Sequence, residues 1–144
     1  MRSLLGFSFA FAIVVGALGC GGSEKSNKVS LKGKLVDGGK DFVLDKSKLK
    51  LPAGATGLPP GARLISISFI PVDGGETAPA TVDDATGAFT VNLAPGTYKV
   101  TIGAGAGMNS PDYFGGKFSP EKSQIKREIK AGEDIVIDVS KPQG

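Results

Sequence analysis

The chain has 144 residues, 17 basic and 14 acidic side chains, a net charge of +3, 22 glycines, 9 prolines and one cysteine, with no histidine and no tryptophan. The charge is too small to imply a nucleic-acid surface, and the length fits one domain behind a short leader. A lone cysteine forms no intramolecular disulfide, and without histidine the commonest general base and the commonest zinc ligand are both missing.

The first zone is Arg2, then an uncharged apolar stretch from Leu4 to Leu18, then small residues around Gly19 and Cys20. This order is that of a secretory signal peptide, whose apolar segment enters the bilayer while the positive end stays behind. Ala17-Leu18-Gly19-Cys20 resembles a bacterial lipobox, which implies cleavage after residue 19 and acylation of the Cys20 thiol, although leucine is commoner at the position of Ala17. Two alternatives stay open. The uncharged run from Ser3 to Ser23 approaches the roughly 20 residues of an uncleaved membrane span, and Cys20 could instead be an ordinary buried thiol. Gly21 through Asn27 has linker composition, which favours a tether over core. The reading is therefore a lipoprotein signal peptide over 1–19, a flexible tether over 20–27 and one domain over 28–141. It implies export and anchoring to a bacterial envelope membrane, with membrane lipid as a partner through acylated Cys20.

Lysines gather next, at Lys25, Lys28, Lys32, Lys34, Lys40, Lys46, Lys48 and Lys50, interrupted by Asp37, Asp41 and Asp45. No aromatic residues interleave to stack on bases. The pattern predicts a solvated face near the membrane, with weak attraction to anionic head groups as the lesser alternative.

Glycines and prolines divide the rest into short segments with period-two alternation, which predicts strands. Val29, Leu31 and Leu35 alternate with polar residues, with Gly33 at an inward position. The stretch from Lys40 to Gly61 is long for a connection and carries Phe42-Val43-Leu44 and Leu49-Lys50-Leu51, readable as an extra edge strand or a loop. Ile65, Ile67 and Phe69 define a strand closed by Pro71, and Ala78 to Val82 reads as a shorter one. From Ala88 to Ile102, two alternating runs flank Ala94-Pro95-Gly96-Thr97, which has type II turn chemistry. A hairpin there sets Leu93 opposite Tyr98, Val91 opposite Val100 and Phe89 opposite Ile102. Finally Ile125 to Ile129 and Ile135 to Val139 read as strands. If they are neighbours, a loop over Lys130 to Asp134 pairs Ile129 with Ile135 and Ile125 with Val139.

About seven strands in one exported domain predict an all-β fold, an antiparallel sandwich of two sheets. Gly33-Lys34-Leu35-Val36-Asp37-Gly38, Ile67-Ser68-Phe69-Ile70-Pro71, Asp84-Ala85-Thr86-Gly87-Ala88-Phe89 and Pro95-Gly96-Thr97-Tyr98-Lys99-Val100 resemble the carboxypeptidase regulatory-like family. The ending, Lys117-Phe118-Ser119-Pro120-Glu121 before Ile125 to Ile129 and Ala131-Gly132-Glu133, is similar to small planctomycete-type lipoproteins with such a domain. The resemblance implies a Greek-key, transthyretin-like or prealbumin-like sandwich. It implies no activity of its own, because the hydrolase branch of the transthyretin-like proteins relies on histidines absent here.

Catalysis is the minority reading, and no cofactor is implied. The paired carboxylates Asp83-Asp84 and Glu133-Asp134 sit in turn contexts, where side-chain oxygens satisfy backbone amides. Calcium at Asp83, Asp84 and Thr86 is the sharper alternative, though the spacing lacks the acidic positions of an EF-hand loop. The remaining candidate is the glycine-rich loop from Gly103 to Lys117, with Met108, Asn109, Asp112, Tyr113 and Phe114 as a ligand surface. Equally, its aromatics could fold back as a lid over the core. The resulting expectation is a non-enzymatic, lipid-anchored module of the cell envelope with a protein-interaction or structural role, and carbohydrate binding as the alternative. The lack of tryptophan weighs against sugar.

Overall fold

A computed structural model describes residues 27–51, 53–54, 56–58, 60–107 and 110–141. Cys20, the leader and all of the tether but Asn27 lie outside the described residues. Among those described, no helix is long and apolar enough to cross a membrane.

The chain is an all-β sandwich of two sheets. Its strands are β1 (Val29–Asp37), β2 (Lys40–Asp41), β3 (Ile65–Pro71), β4 (Ala78–Pro79), β5 (Thr81–Val82), β6 (Ala88–Leu93), β7 (Gly96–Ala104), β8 (Lys126–Ile129) and β9 (Ile135–Asp138). One sheet holds β2, β1, β6 and β5, with β9 also pairing β1; the other runs β4-β3-β7-β8. Pairing is antiparallel except for β9, which lies parallel to β1 from Gly33↔Ile135 to Val36↔Asp138.

Alternation explains which side chains meet between the sheets. β1 contributes Leu31 and Leu35, β3 Ile65, Ile67 and Phe69, β6 Phe89, Val91 and Leu93, and β7 Tyr98, Val100 and Ile102, all buried. Fully burying one such aliphatic or aromatic side chain contributes roughly 1.5–3 kcal/mol. Gly33 holds an inward position of β1 because the Phe89 ring lies over it: a Cβ there would stand 2.5 Å from Phe89 Cε2 and 2.7 Å from the Ile135 carbonyl oxygen.

Two pairings differ from the sequence reading. The runs of Ala88 to Ile102 are strands, but they do not form a hairpin: β6 pairs β1 and β5, whereas β7 pairs β3 and β8. Leu93, Val91 and Phe89 therefore point into the core from one sheet, and Tyr98, Val100 and Ile102 from the other. Gly96 has φ 154°, not the value of about +80° that a type II turn places at its third residue. The Tyr98 hydroxyl donates to the Ala94 carbonyl at 2.9 Å, a tyrosine corner of the kind found where sandwich chains turn. The condition set on the last two strands is not met: β8 borders β7 and β9 borders β1. The segment from Ala78 to Val82 splits into β4 and β5, which belong to different sheets, and the Ala80 amide between them donates to the Ile67 carbonyl at 2.9 Å.

The two ends of the sandwich differ. β1 starts at Val29 beside Leu93, and Lys28 pairs with Glu76 of the β3–β4 loop at 3.6 Å. This tether end also carries the Ala94–Pro95 corner. The far end holds the β1–β2 turn, the Asp83–Gly87 turn and the start of β3. Nine residues at about 3.3 Å each put about 30 Å between the two ends of β1. The far end is braced by Asp138, whose Oδ1 accepts from the Gly38 and Ser140 amides at 3.0 Å each and from the Ser140 hydroxyl at 2.6 Å. Those bonds, the Ser140 hydroxyl foremost, hold its carboxyl below the usual value.

Candidate functional site

The loop after β7 lies at the far end. Asp112 organises it: Oδ1 accepts from the Ala104 amide at 2.8 Å and Oδ2 from the Gly116 amide at 2.7 Å, while the Tyr113 amide returns a bond to the Ala104 carbonyl at 2.6 Å. Both carboxylate oxygens are thus engaged in closing the loop on itself. Beside them, the Ser110 hydroxyl donates to the Gly107 carbonyl at 2.7 Å.

Tyr113 and Phe114 are half-buried and pack against the core. The Phe114 ring centroid lies 5.2 Å from Phe118, 5.3 Å from Tyr113 and 5.6 Å from Phe42, and Tyr113 meets Phe42 edge-on at 6.4 Å. Edge-to-face contacts in this range favour aromatic rings beyond the area they bury. The aromatics of the loop form a lid, the second of the two roles the sequence left open. Met108 and Asn109 lie outside the described residues.

Phe42 reaches this cluster from the connection between β2 and β3. That segment begins with the two-residue edge strand β2, buries Phe42 and Leu44, makes a single 3-10 turn at Lys46–Lys48 capped by Asp45, and packs Leu49 on the core. The long connection is thus the crossing from one sheet to the other, and it closes the far end. The alternation of Phe42 and Leu44 about exposed Val43 was its signal in the sequence.

The Asp83–Asp84 pair divides its work. Asp83 Oδ1 accepts from the Ala85 amide at 2.9 Å within its own turn, and that bond, with help from Thr86, lowers its pKa. Asp84 reaches across to the other sheet, where Oδ2 and Oδ1 accept from the Leu64 and Ile65 amides, both at 2.8 Å. Thr86 Oγ1 accepts from the Ala88 amide at 3.3 Å. Each residue of the candidate calcium set thus has a backbone partner. Among the described residues no group of three or more His, Cys, Asp or Glu side chains is arranged to hold a metal ion. The sheet-bridging role of Asp84 was not legible, because its partners lie 20 and 19 residues away in sequence.

Among the described residues, surface concavities include one of 460 Å³ beside Lys32, Thr81, Asp83 and Thr90, and two others. A groove of 490 Å³ runs over the outer face of β3 and β7, lined by Ser66, Ser68, Gly103, Gly105, Ser110 and Asp112. The Ser66 hydroxyl there donates to the Gly103 carbonyl at 3.3 Å, so the groove's polar groups largely satisfy one another. A second of 340 Å³ lies where the chain passes from β8 to β9, lined by Arg127, Glu128, Lys130, Glu133 and Asp134. Its charges are mixed in sign. Comparison with protein-family models, with curated proteins and with solved structures finds no match for this chain.

Proposed function

We propose that the protein is a non-enzymatic module of a bacterial cell envelope, anchored by an acylated Cys20 and acting through contact with another protein. Under this reading it is a lipoprotein of the carboxypeptidase regulatory-like kind, with the Greek-key connectivity of that family. The observation that carries the proposal is the order of parts. An apolar run ends in Ala17-Leu18-Gly19-Cys20, a short polar stretch follows, and β1 begins at Val29. A folded domain starting so soon after the cysteine suits a body held close to a membrane surface. Stable anchoring takes about two acyl chains or more, which is what a lipoprotein cysteine carries.

Contact with a protein is favoured over sugar by what the candidate loop presents. Tyr113 and Phe114, its only rings, face Phe42 and Phe118 rather than offering a flat stacking platform. The hydroxyls and carboxylates nearby already bind backbone groups. Mass spectrometry of the protein extracted from membranes tests the anchor. The expected mature chain begins at an acylated Cys20, and Cys20→Ser leaves the leader uncleaved and the lipid absent. An unmodified Cys20, or a retained Met1 segment, overturns the reading.

A further inference from the structure

The charge of the chain is unevenly placed. Residues 40–63 carry five cations, Lys40, Lys46, Lys48, Lys50 and Arg63, against two carboxylates, Asp41 and Asp45. That is a net +3, equal to the charge of the whole chain, so the remainder is neutral. Both carboxylates are already paired, Asp41 with Lys34 at 2.7 Å and Asp45 with Lys48 at 3.3 Å. Lys40, Lys46, Lys50 and Arg63 have no ion-pair partner among the described residues.

The same segment displays apolar side chains. Val43 is 67% exposed, Leu51 38% and Leu58 36%, three of the five large exposed hydrophobics among the described residues. Phe42, Leu44 and Leu49 pack on the core and hold the part from Lys40 to Leu51 against the sandwich. It also lies at the end of the sandwich opposite the tether, about 30 Å along β1 from Val29. Of the lysines gathered early in the sequence, Lys28 lies at the tether end, so under the anchored reading the cations of the crossing face away from the membrane. That end also carries Asp73, Glu76, Glu133 and Asp134 in exposed positions, with exposed Lys130 paired to Glu128.

We propose that the 40–63 crossing is the docking surface for an envelope protein that offers an apolar patch rimmed by carboxylates. The proposal rests on the anchored reading above, which fixes the direction in which this end points. Unpaired lysines steer and orient a partner of opposite charge, and Val43, Leu51 and Leu58 supply the apolar area that holds it. Position argues against the anchoring lipid as the occupant, and the apolar side chains argue against a polyanionic glycan.

The test is site-directed photo-cross-linking of the full chain in its own cells. Benzoylphenylalanine replaces Val43 or Leu51, with exposed Thr90 of β6 as the control. The expected result is one discrete protein adduct from Val43 and Leu51 and none from Thr90. Lys46→Glu with Lys50→Glu lowers its yield by about tenfold, as loss of electrostatic steering does; Lys46→Gln with Lys50→Gln lowers it less. Both lysines are exposed, and an unchanged melting temperature verifies that the variants fold. An adduct with lipid or polysaccharide, an adduct indifferent to charge reversal, or no adduct from an anchored chain overturns the proposal. The state of Cys20 in the same membranes is read separately, so loss of the anchor and loss of the docking surface are distinguishable.

Discussion

Gly33→Ala introduces one methyl group where, of the described glycines, a Cβ meets its neighbours most closely. The new Cβ would stand 2.5 Å from Phe89 Cε2 and 2.7 Å from the carbonyl oxygen of Ile135. Neither neighbour yields easily. Phe89 is a buried ring 6.1 Å from the Phe69 ring, and Ile135 is the first residue of β9, paired to Gly33 itself. Overpacking of this kind costs about 1–3 kcal/mol, here at the upper end because backbone as well as side chain must move. Removing glycine returns about 0.7 kcal/mol by restricting the unfolded chain. The net expectation is a loss of about 2 kcal/mol, or about 8 °C in Tm for a domain of this size. Thermal and urea unfolding followed by circular dichroism measure it. Gly57→Ala is the internal control, because a Cβ at Gly57 meets nothing within 4 Å; that variant holds or gains stability. Phe89→Leu opens space beside the methyl, so the double variant loses about 1 kcal/mol less than the sum of the single losses. Rescue stays partial, since the Ile135 carbonyl is untouched. A Gly33→Ala protein as stable as the parent, or strict additivity with Phe89→Leu, refutes the packing argument.

Two further outcomes follow from the polar contacts. Asp112→Ala strands the Ala104 and Gly116 amides, at a cost of about 2 kcal/mol; hydrogen exchange should speed at both while β1 and β6 keep their protection, and unchanged exchange counts against the clamp. Stability should also fall in acid. Asp45, Asp83 and Asp138 titrate below the usual 3.8, held down by the Ser47 hydroxyl, the Ala85 amide and the Ser140 hydroxyl respectively. Glu121 lies below 4.5, chiefly through its own amide. Because folding depresses these values, their contribution is complete above the unfolded pKa and disappears as pH falls through the folded one. Melting temperature should therefore be level above about pH 5.5 and decline below about pH 4; a rise on acidification contradicts the assignment.

Alternation named the buried residues well and their partners badly, for one reason. A period of two fixes the face on which a side chain lies, but the same inward set arises whether two strands share a sheet or oppose each other across the core. Phe89, Val91 and Leu93 satisfy both arrangements with Tyr98, Val100 and Ile102. What decides between them is the short corner at Ala94–Pro95 and the Tyr98 hydroxyl bond, and neither has a period. Gly33 was legible as an inward glycine because it interrupts the run of Leu31 and Leu35. The ring that requires it, Phe89, stands 56 residues later in the numbering. At the candidate site Asp112, Tyr113 and Phe114 were singled out by composition, which marks a loop as unusual without saying whether its side chains face outward or inward. Their orientation comes from Phe42, at the start of the crossing segment, and from Phe118.

Among the described residues β1 is the only strand with both an antiparallel and a parallel neighbour, β6 from Val29 to Lys34 and β9 from Gly33 to Val36, and it is also the strand that follows the tether in sequence. A pull on the chain at Asn27, resisted at the opposite end of the sandwich, acts along β1. Ladder bonds run across a strand, so such a pull loads them in shear. They must yield together, whereas the same strand peeled from its edge would release them one at a time. The Asp138 clamp on Gly38 adds a stop at the end of that track. The first strand is therefore the mechanical root of the domain, placed where a load on the chain enters the fold.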